Sequence, residues 1–340
     1  MVLKTPFFVA EISANHLNSL DRAHILVEEA ARAGADAIKL QTYKPETMTL
    51  NLPGHSVSKD HKLWGGQSLY NLYSDAMTPW EWHAELFEHA LQLKMIPFSS
   101  PFDRTAVDFL EELNCPIYKV ASLETGDVDL INYISLKGKP TIISTGASTL
   151  DEIQEALDAT DHNKQNSILL VCTSSYPAEA RDAHLNRIRT LKEKFDVAVG
   201  VSDHTLGIGV SVAAIALGAK VIEKHLTIKR SDGGHDASFS LEPNEFKLLV
   251  EEGNKAYESL GKSSWVTLES ENESRRLRRS LFITEDVKAG ELATRENVKA
   301  LRPNSGAPVS NLHKMLGRRF LHDYEKGSPA NLECVEFGSP

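Results

Sequence analysis

Ala35-Asp36-Ala37-Ile38-Lys39-Leu40-Gln41-Thr42-Tyr43 is a short apolar run that ends in polar residues. Its centre is apolar at nearly every position instead of at alternate ones, which is typical of a parallel strand buried on both faces. Seven other runs in the first 260 residues share this pattern. Together the eight predicted strands cover residues 7–13, 37–43, 96–102, 117–122, 141–146, 168–174, 198–204 and 221–227.

Helix-like patterns follow most of these strands. Ser19 or Asp21 can cap the first helix, and Gly34 can end it. Eight strand–helix units in about 260 residues are the number and length expected of a (β/α)8 TIM barrel. The alternative is an open doubly wound sheet, but no Gly-x-Gly-x-x-Gly sequence follows any predicted strand. We therefore expect an α/β fold with a closed barrel.

The composition changes near Gly261, where the barrel pattern ends. Residues 262–277 are polar and rich in Ser and Glu, which is typical of a linker. Residues 278–340 contain short strand-like pieces at 280–283 and 298–301 and predict a small C-terminal domain. The predicted barrel domain, residues 1–261, carries a net charge of −12 and the remainder +2, which together give the −10 of the whole chain.

Composition excludes several classes of function. The acidic chain of 340 residues has no basic stripe, which argues against nucleic-acid binding. No apolar run reaches the roughly 18 residues that span a bilayer, and the start of the chain lacks the apolar stretch of a signal peptide. The three cysteines, Cys115, Cys172 and Cys334, form no disulfide framework or thiolate zinc site. We expect a cytoplasmic protein without nucleic-acid or membrane partners.

Polar residues lie at the end of every predicted strand, and in a barrel these ends line the active site. His204 and His225 lie at comparable positions on the last two strands. Two neighbouring imidazoles at a barrel mouth can hold a divalent cation and leave other positions for water or substrate. The alternative is a pair of structural histidines that bond to backbone or water.

Two lysines, Lys39 and Lys119, lie inside apolar strands, where an unpaired charge is costly. They can form structural ion pairs, for example with Glu11 or Glu124, or they can line a cationic pocket. We favour a pocket for a carboxylate or phosphate. Strand-end serines can donate hydrogen bonds to such an anion: Ser100, Ser122, Ser144 and Ser202.

Glu11 and Asp236 are candidates for acid–base chemistry. Glu11 ends the first strand, and Asp236 follows the flexible Gly233-Gly234 pair after the last strand. Each also has a structural interpretation, Glu11 as the partner of a buried lysine and Asp236 as part of a turn. The connection 44–78 is unusually long, and it is either a lid over the site or a surface insertion with its own aromatic cluster.

Taken together, the strand-end motifs resemble the sialic acid synthase family, whose members condense phosphoenolpyruvate with an amino sugar to make nonulosonic acids. The resemblance covers essentially the whole chain. Its motifs are Ala10-Glu11-Ile12-Ser13-Ala14-Asn15-His16, residues 35–43, Phe98-Ser99-Ser100-Pro101-Phe102, Tyr118-Lys119-Val120-Ala121-Ser122, Ser144-Thr145-Gly146, Ser202-Asp203-His204-Thr205 and Glu223-Lys224-His225. Residues 298–303 resemble the family's C-terminal antifreeze-like (SAF) domain. Residues 45–50, 68–73 and 78–83 are most similar to the members that make pseudaminic acid.

The resemblance implies a role for each candidate residue. His204 and His225 match metal ligands, usually for Mn²⁺, with Mg²⁺ or Co²⁺ as alternatives. Arg302 matches an arginine of the SAF domain that reaches the partner subunit's site in a domain-swapped homodimer. The phosphoenolpyruvate pocket is matched by Lys39, Ser100, Lys119, Ser122, Ser144 and Ser202. Positions near the sugar or the reacting carbons are matched by Glu11, Gln41, Ser174, Tyr176 and Asp236.

Two positions depart from the family's pattern. Leu17-Asn18 follows Asn15-His16 where the family commonly has Asn-Gly or Glu-Gly. Asn18 can still adopt a positive φ, so we expect the turn to be kept. Ser174 stands where sialic acid synthases have Asn, which fits a differently substituted sugar.

The resemblance implies an enzyme that condenses phosphoenolpyruvate with 2,4-diacetamido-2,4,6-trideoxy-L-altrose and water. Phosphate would leave by C–O cleavage. Two related activities stay open, the synthesis of N-acetylneuraminic acid and the synthesis of legionaminic acid. A carbohydrate-binding protein that uses its SAF domain as an interaction surface is the alternative from another class, and it would bind sugar without consuming phosphoenolpyruvate.

Overall fold

The computed structural model describes residues 4–60 and 63–336. The chain divides into two compact units, Met1–Gly261 and Lys262–Pro340. The outer ends of the two predicted domains, residues 1–3 and 337–340, and residues 61–62 of the long connection lie outside the described residues.

The first unit contains a closed barrel of eight parallel strands in chain order, in which the first strand pairs with the last. This confirms the (β/α)8 TIM barrel. The strands are β1 (Phe7–Glu11), β2 (Ala37–Thr42), β3 (Ile96–Pro101), β4 (Tyr118–Val120), β5 (Thr141–Ser144), β6 (Ser167–Cys172), β7 (Ala198–Asp203) and β8 (Val221–His225).

Helices connect the strands around the barrel. Ser19 caps the first of them by accepting a hydrogen bond from the Arg22 N–H, and Gly34 follows its end with a φ of 86°. The helices are α1 (Leu20–Arg32), α2 (Pro45–Met48), α3 (Leu69–Ala76), α4 (His83–Gln92), α5 (Arg104–Glu112), α6 (Val128–Ser135), α7 (Leu150–Ala159), α8 (Arg187–Phe195), α9 (Gly209–Ala216) and α10 (Pro243–Ser259).

The barrel core is continuous from the strands to the helix layer, which explains the unbroken apolar runs in the sequence. Leu26 of α1 and Phe246 of α10 are completely buried in it. α10 approaches β1 closely at Gly253, where a Cβ atom would lie 2.7 Å from the Phe8 ring. A larger residue at this position would therefore push α10 away from the barrel.

All eight observed strands end one or two residues earlier than predicted. β4 covers Tyr118–Val120 instead of 117–122, because Ser122–Glu124 turns into a short 3-10 helix. The polar residues that end the predicted strands therefore lie partly in turns at the mouth of the barrel.

The second unit is built on an antiparallel pair, β9 (Ser280–Ile283) and β10 (Val298–Leu301), which match the two strand-like pieces of the sequence. Its core includes Leu281, Met315 and Phe320. Two short helices belong to this unit, α11 (Asn272–Arg276) and α12 (Leu312–Met315). α11 lies in the predicted linker, whose residues 262–277 are exposed.

Within residues 4–60 and 63–336, every helix is too short or too polar to span a bilayer.

Candidate functional site

The candidate site lies at the C-terminal end of the barrel, where alternate strand residues face the barrel axis. β7 and β8 show the pattern clearly. Ser202 bonds to Glu223 across the inside of the barrel, whereas Asp203 and Lys224 pair with each other on the outside, against Ser211 of α9. His225 follows Glu223 by two residues and therefore also faces inward.

Lys39 and Glu11 form an ion pair inside the barrel, on neighbouring strands in register. Glu223 lies 3.8 Å from the Lys39 ammonium. Burial would lower the pKa of Lys39, but the two carboxylates outweigh burial and the pKa is raised. The structural ion pair considered for this lysine is thus present, and Lys39 stays charged.

Lys119 differs from Lys39 because its ammonium group bonds to a backbone carbonyl, that of Val120, at 3.0 Å. In the described residues no carboxylate lies within ion-pair distance of it. Burial and the charge of Lys39 lower the pKa of Lys119, and the carboxylate of Glu223 opposes them. A buried ammonium in this position offers its charge to an anion from solution.

Several serines around Lys119 have hydroxyl groups that lack a hydrogen-bond partner. In the described part of the chain, the Oγ atoms of Ser100, Ser144 and Ser174 are buried without a hydrogen-bond partner. Gly146 separates two of the site's serines, because a Cβ atom there would lie 2.3 Å from Ser174 Oγ and 2.8 Å from Ser122 Oγ. Only glycine leaves this space open. The strand ends therefore form a cradle of hydroxyl groups beside a buried cation.

His204 and His225 lie side by side, with ring centroids 5.4 Å apart. His204 Nδ1 lies 3.1 Å from the Thr173 carbonyl oxygen, which orients the ring and leaves Nε2 for another partner. Burial and the neighbouring positive charges hold the pKa of His225 well below its usual range, so this imidazole is neutral. Its Nδ1 is buried without a hydrogen-bond partner and lies 3.4 Å from Asp236 Oδ2.

These donors fit a divalent cation held by two imidazoles, because unprotonated ring nitrogens bind metals. Burial would lower the pKa of His204, but Cys172 and the Thr173 carbonyl outweigh burial and raise it, so this ring must lose its proton when it binds a cation. The fit is limited to this pair. No group of three or more His, Cys, Asp or Glu side chains in the described ranges is arranged to hold a metal ion. The cation's remaining positions would be filled by substrate or water.

Three carboxyl groups complete the inner surface. Burial, with Glu11 nearby, raises the pKa of Asp236 to about 7. The other two are Glu223 and Glu124. The sequence presented Glu223 only as part of a strand-end motif and Glu124 only as a possible ion-pair partner of a buried lysine. Glu223 has one oxygen without a partner, and burial raises the pKa of Glu124 to about 7. Strand alternation with His225 could have identified Glu223, but Glu124 lies in a turn that has no periodic signal.

The site opens into a cavity of about 380 Å³. Gln41, Ser122, Tyr176 and His225 line it together with Asp236. Residues from the long connection line it as well, and Trp64 donates a hydrogen bond to the His235 carbonyl at 3.3 Å. The described part of this connection therefore lies against the barrel mouth.

The turn after β1 is kept although its sequence is unusual. Leu17 and Asn18 both have positive φ values, 51° and 54°. Asn15 holds this turn against the end of β8, because its side-chain amide donates to the Leu226 carbonyl at 2.8 Å. The expectation that Asn18 would preserve the turn is confirmed.

The barrel thus brings together the candidate residues that the sequence placed at its strand ends and loops. Arg302 belongs to the second unit, where it is exposed immediately after β10. Ser280 anchors the turn beyond it: its hydroxyl donates to the Pro303 carbonyl and accepts the Gly306 N–H at 2.9 Å.

Comparison with known proteins identifies the family. The NeuB family model matches residues 26–264, and the SAF domain model matches residues 278–336. The chain belongs to the NeuB family. This confirms the resemblance to the sialic acid synthases and the expected SAF domain.

Two relatives from Campylobacter jejuni serotype O:2 allow a comparison within one organism. The chain is 40% identical to its pseudaminic acid synthase over 325 residues, 95% of each chain. It is 33% identical to its N,N'-diacetyllegionaminic acid synthase over 328 residues, 95% of this chain and 98% of the relative. Among solved structures, N-acetylneuraminic acid synthetase from Leptospira borgpetersenii in complex with citrate matches with a TM-score of 0.72 and 32% identity, over 80% of this chain and 90% of that one.

Proposed function

We propose that this NeuB family member is a pseudaminic acid synthase. It condenses phosphoenolpyruvate with 2,4-diacetamido-2,4,6-trideoxy-L-altrose and water, and it releases pseudaminic acid and phosphate. The observation that carries the proposal is the set of buried, unpartnered hydroxyl groups beside Lys119 in the described barrel mouth. The higher identity to the pseudaminic than to the legionaminic acid synthase supports the choice of sugar.

Lys119 and the serine cradle bind phosphoenolpyruvate in this proposal. The substrate carries a carboxylate and a phosphate, and it supplies the acceptors that the hydroxyls of Ser100 and Ser144 lack. Ser122 and Ser202 line other sides of the same phosphoenolpyruvate pocket. Lys39 adds positive charge but stays paired with Glu11, so Lys119 supplies most of the new electrostatic attraction.

His204 and His225 are the residues that would hold a divalent cation, with Mn²⁺ favoured over Mg²⁺ or Co²⁺. When bound, the cation supplies Lewis acidity for the aldehyde oxygen of the open-chain sugar. The Thr173 carbonyl and the ring of Phe239, 4.9 Å from His225, hold the two imidazoles in place. Both rings must release any proton before they can bind a cation.

The reaction forms one carbon–carbon bond and one carbon–oxygen bond from water, and it breaks the carbon–oxygen bond to phosphate. The two protons of the water end on the aldehyde oxygen and on the released phosphate. C3 of phosphoenolpyruvate attacks the sugar aldehyde carbon, water adds at C2, and the bond from C2 to the phosphate oxygen breaks. Asp236 is better suited than Glu11 to take the proton of that water. Its pKa of about 7 matches the task, whereas Glu11 is occupied by Lys39 and by the Ser13 N–H at 2.7 Å. Gln41, Ser174 and Tyr176 bind the sugar.

The proposal includes a homodimer in which Arg302 of one subunit completes the site of the other. An exposed arginine on an anchored turn is suited to reach a carboxylate or hydroxyl of a bound substrate. The cytoplasm, where phosphoenolpyruvate is formed, stays the predicted location.

A product assay by mass spectrometry tests the proposal. Purified protein is incubated with Mn²⁺, phosphoenolpyruvate and, separately, the sugar precursors of pseudaminic, legionaminic and N-acetylneuraminic acids. We expect pseudaminic acid to form fastest, and ¹⁸O in the bridging oxygen of phosphoenolpyruvate to appear in phosphate. A faster reaction with another sugar would reassign the product, and sugar binding without phosphate release would favour a carbohydrate-binding protein.

A further inference from the structure

The cavity at the barrel mouth changes from polar to apolar toward its opening. Lys39, Gln41 and Tyr43 are alternate residues along β2 and its end, so they face the same side at increasing height. At about 3.3 Å per residue, Tyr43 lies ~13 Å further along the strand than Lys39, which is ~11 Å along the axis of a barrel with strands tilted by about 36°. β3 repeats the order, because Ser100 is followed two residues later by Phe102. The deep floor is charged, and the rim is aromatic.

Five residues form an apolar wall around this rim: Tyr43, Met48, Leu72, Tyr73 and Phe102. Met48 ends α2, and Leu72 and Tyr73 lie on α3, so the long connection supplies most of the wall. The Tyr43 ring packs edge-on against Tyr73 at 5.8 Å and against Phe102 at 5.3 Å between centroids. Leu72 is only 7% exposed. The wall is therefore packed onto the barrel.

The chemistry on the floor determines which end of the sugar meets this wall. The aldehyde carbon must lie near the anion cradle and the two histidines, because the new bond forms there. The opposite end of the open-chain sugar then extends toward the rim. A hydroxyl group buried against Met48, Leu72 or Phe102 would lose its hydrogen bonds to water, whereas a methyl group would gain contact. Gln41 and Glu124 line the same cavity and can bond to amide groups on the sugar.

We propose that the apolar wall binds the C6 methyl group and an acetamido methyl group of the sugar, and that it thereby selects 6-deoxy acetamido sugars over sugars with a hydroxyl at C6. The inference rests on the proposed function and specifies the substrate class of that site. It makes Met48 and Leu72 specificity-determining residues on the long connection.

The test compares two sugars that differ by one hydroxyl group: 2,4-diacetamido-2,4,6-trideoxy-L-altrose and its analogue with a hydroxyl at C6. The variants are Met48→Gln and Leu72→Asn, with Leu50→Asn as a matched control because Leu50 lies on the same connection and is 62% exposed. Phosphate release gives kcat/KM for each sugar. We expect the unmodified chain to prefer the 6-deoxy sugar by about 10–200-fold. Either wall variant should reduce this preference about 10-fold, chiefly through KM, and Leu50→Asn should leave it unchanged.

Calorimetric binding of the same two sugars separates this inference from the proposed function, since it needs no turnover. Equal affinity and equal kcat/KM for the two sugars would overturn the proposal that the wall selects the 6-deoxy sugar. Wall variants that lower kcat/KM by the same factor for both sugars would overturn it as well. A preference in binding without any phosphate release would support the wall and overturn the proposed function alone. Met48 is half-buried, so Met48→Gln decides the question if Leu72→Asn does not fold.

Discussion

Buried polar groups on the outer and inner faces of the barrel strands differ in whether they have hydrogen-bond or ion-pair partners. On the outer face, against the helices, Lys224 pairs with Asp203 at 2.9 Å, and Asp203 also accepts a hydrogen bond from Ser211 at 2.6 Å. His83, in the helix layer, contacts Thr42 at 2.8 Å through Nε2 and the Pro79 carbonyl at 3.2 Å through Nδ1. These outer groups have their hydrogen-bond and ion-pair partners within the chain itself.

On the inner face, burial is just as complete, but several polar groups lack partners. Among the described residues, Ser100 Oγ, Ser144 Oγ and His225 Nδ1 have no hydrogen-bond partner, and Lys119 bonds to one backbone carbonyl. Buried polar groups without partners are costly, so a fold retains them where a ligand completes them. We therefore expect inner substitutions to remove activity at little cost in stability, and outer substitutions to do the reverse.

The largest effect should come from replacing both His204 and His225 with Ala. We expect no detectable condensation in buffer supplemented with Mn²⁺, because the only paired imidazoles at the described barrel mouth are gone. Elemental analysis after gel filtration should also show no bound transition metal. Full activity of this double variant would contradict the metal assignment.

His83→Ala is the matched outer control for the histidine pair. His83 is buried and bonded at both ring nitrogens, so its loss should lower Tm by several degrees. Bound metal should not change. A variant of His83 that loses metal would break the distinction between the two layers.

Lys119→Met and Lys224→Met compare the inner and outer faces of the barrel strands with the same substitution. Lys119→Met should lower kcat/KM about 10²–10³-fold, since it removes a charge aimed at the anionic substrate. Its Tm should stay close to that of the unmodified chain. Lys224→Met leaves Asp203 buried without its cation, so it should cost about 3–5 kcal/mol of stability and lower Tm by roughly 5–15 °C.

Thermal unfolding and steady-state phosphate release measure the two lysine variants side by side. If Lys119→Met were the less stable of the two, the ammonium of Lys119 would be a structural group. If Lys224→Met lost activity at a temperature where it is fully folded, the outer pair would have a role in the reaction.

The Arg302→Ala variant tests whether a second subunit contributes a residue to the site on the inner face of the barrel. We expect a loss of about 10–100-fold, mainly in the KM for the sugar, because a positioned charge on the substrate is lost. Mixing Arg302→Ala with Lys119→Met chains and allowing subunits to exchange should restore activity to about a quarter of normal, since hybrid dimers contain one intact site. Unchanged KM, or no recovery on mixing, would show that Arg302 does not act across subunits.

Much of the barrel could be predicted from the sequence because parallel strands buried on both faces give unbroken apolar runs. The runs around Lys39 and His225 place both residues on the correct strands. The sequence also predicts that polar groups collect at one end, since that follows from parallel strand direction alone. The roles of the individual site residues came from the family resemblance, because no local sequence pattern indicates them.

Which of the two buried lysines pairs with a carboxylate could not be predicted. Lys39 and Lys119 occupy the same kind of sequence environment, but only Lys39 has a carboxylate in register on the neighbouring strand. Barrel register determines this difference, and register is a property of the closed sheet. Glu124 shows the same limit, because its burial depends on the 3-10 turn at Ser122–Glu124 and on the long connection above it.

Glu124 also gives the smallest and most specific prediction. Burial raises its pKa to about 7, Lys119 opposes this and Asp127 adds to it, and one of its oxygens has no hydrogen-bond partner in the described structure. Between about pH 4.5 and 7 the folded protein therefore keeps a proton that the unfolded chain has released. Stability from this group is fully present below about pH 4.5 and is lost as the pH rises through 7.

Glu124→Gln has no such proton to lose. The variant should gain stability relative to the unmodified chain as the pH rises from 5 to 8, by about 1–3 kcal/mol at most, and the difference should level off above pH 7. Urea unfolding at several pH values measures it, with the exposed Glu155→Gln as the control for the loss of one carboxylate. A difference that does not change with pH would mean that Glu124 is ionised in the folded protein, and that Lys119 satisfies it as Asp203 satisfies Lys224.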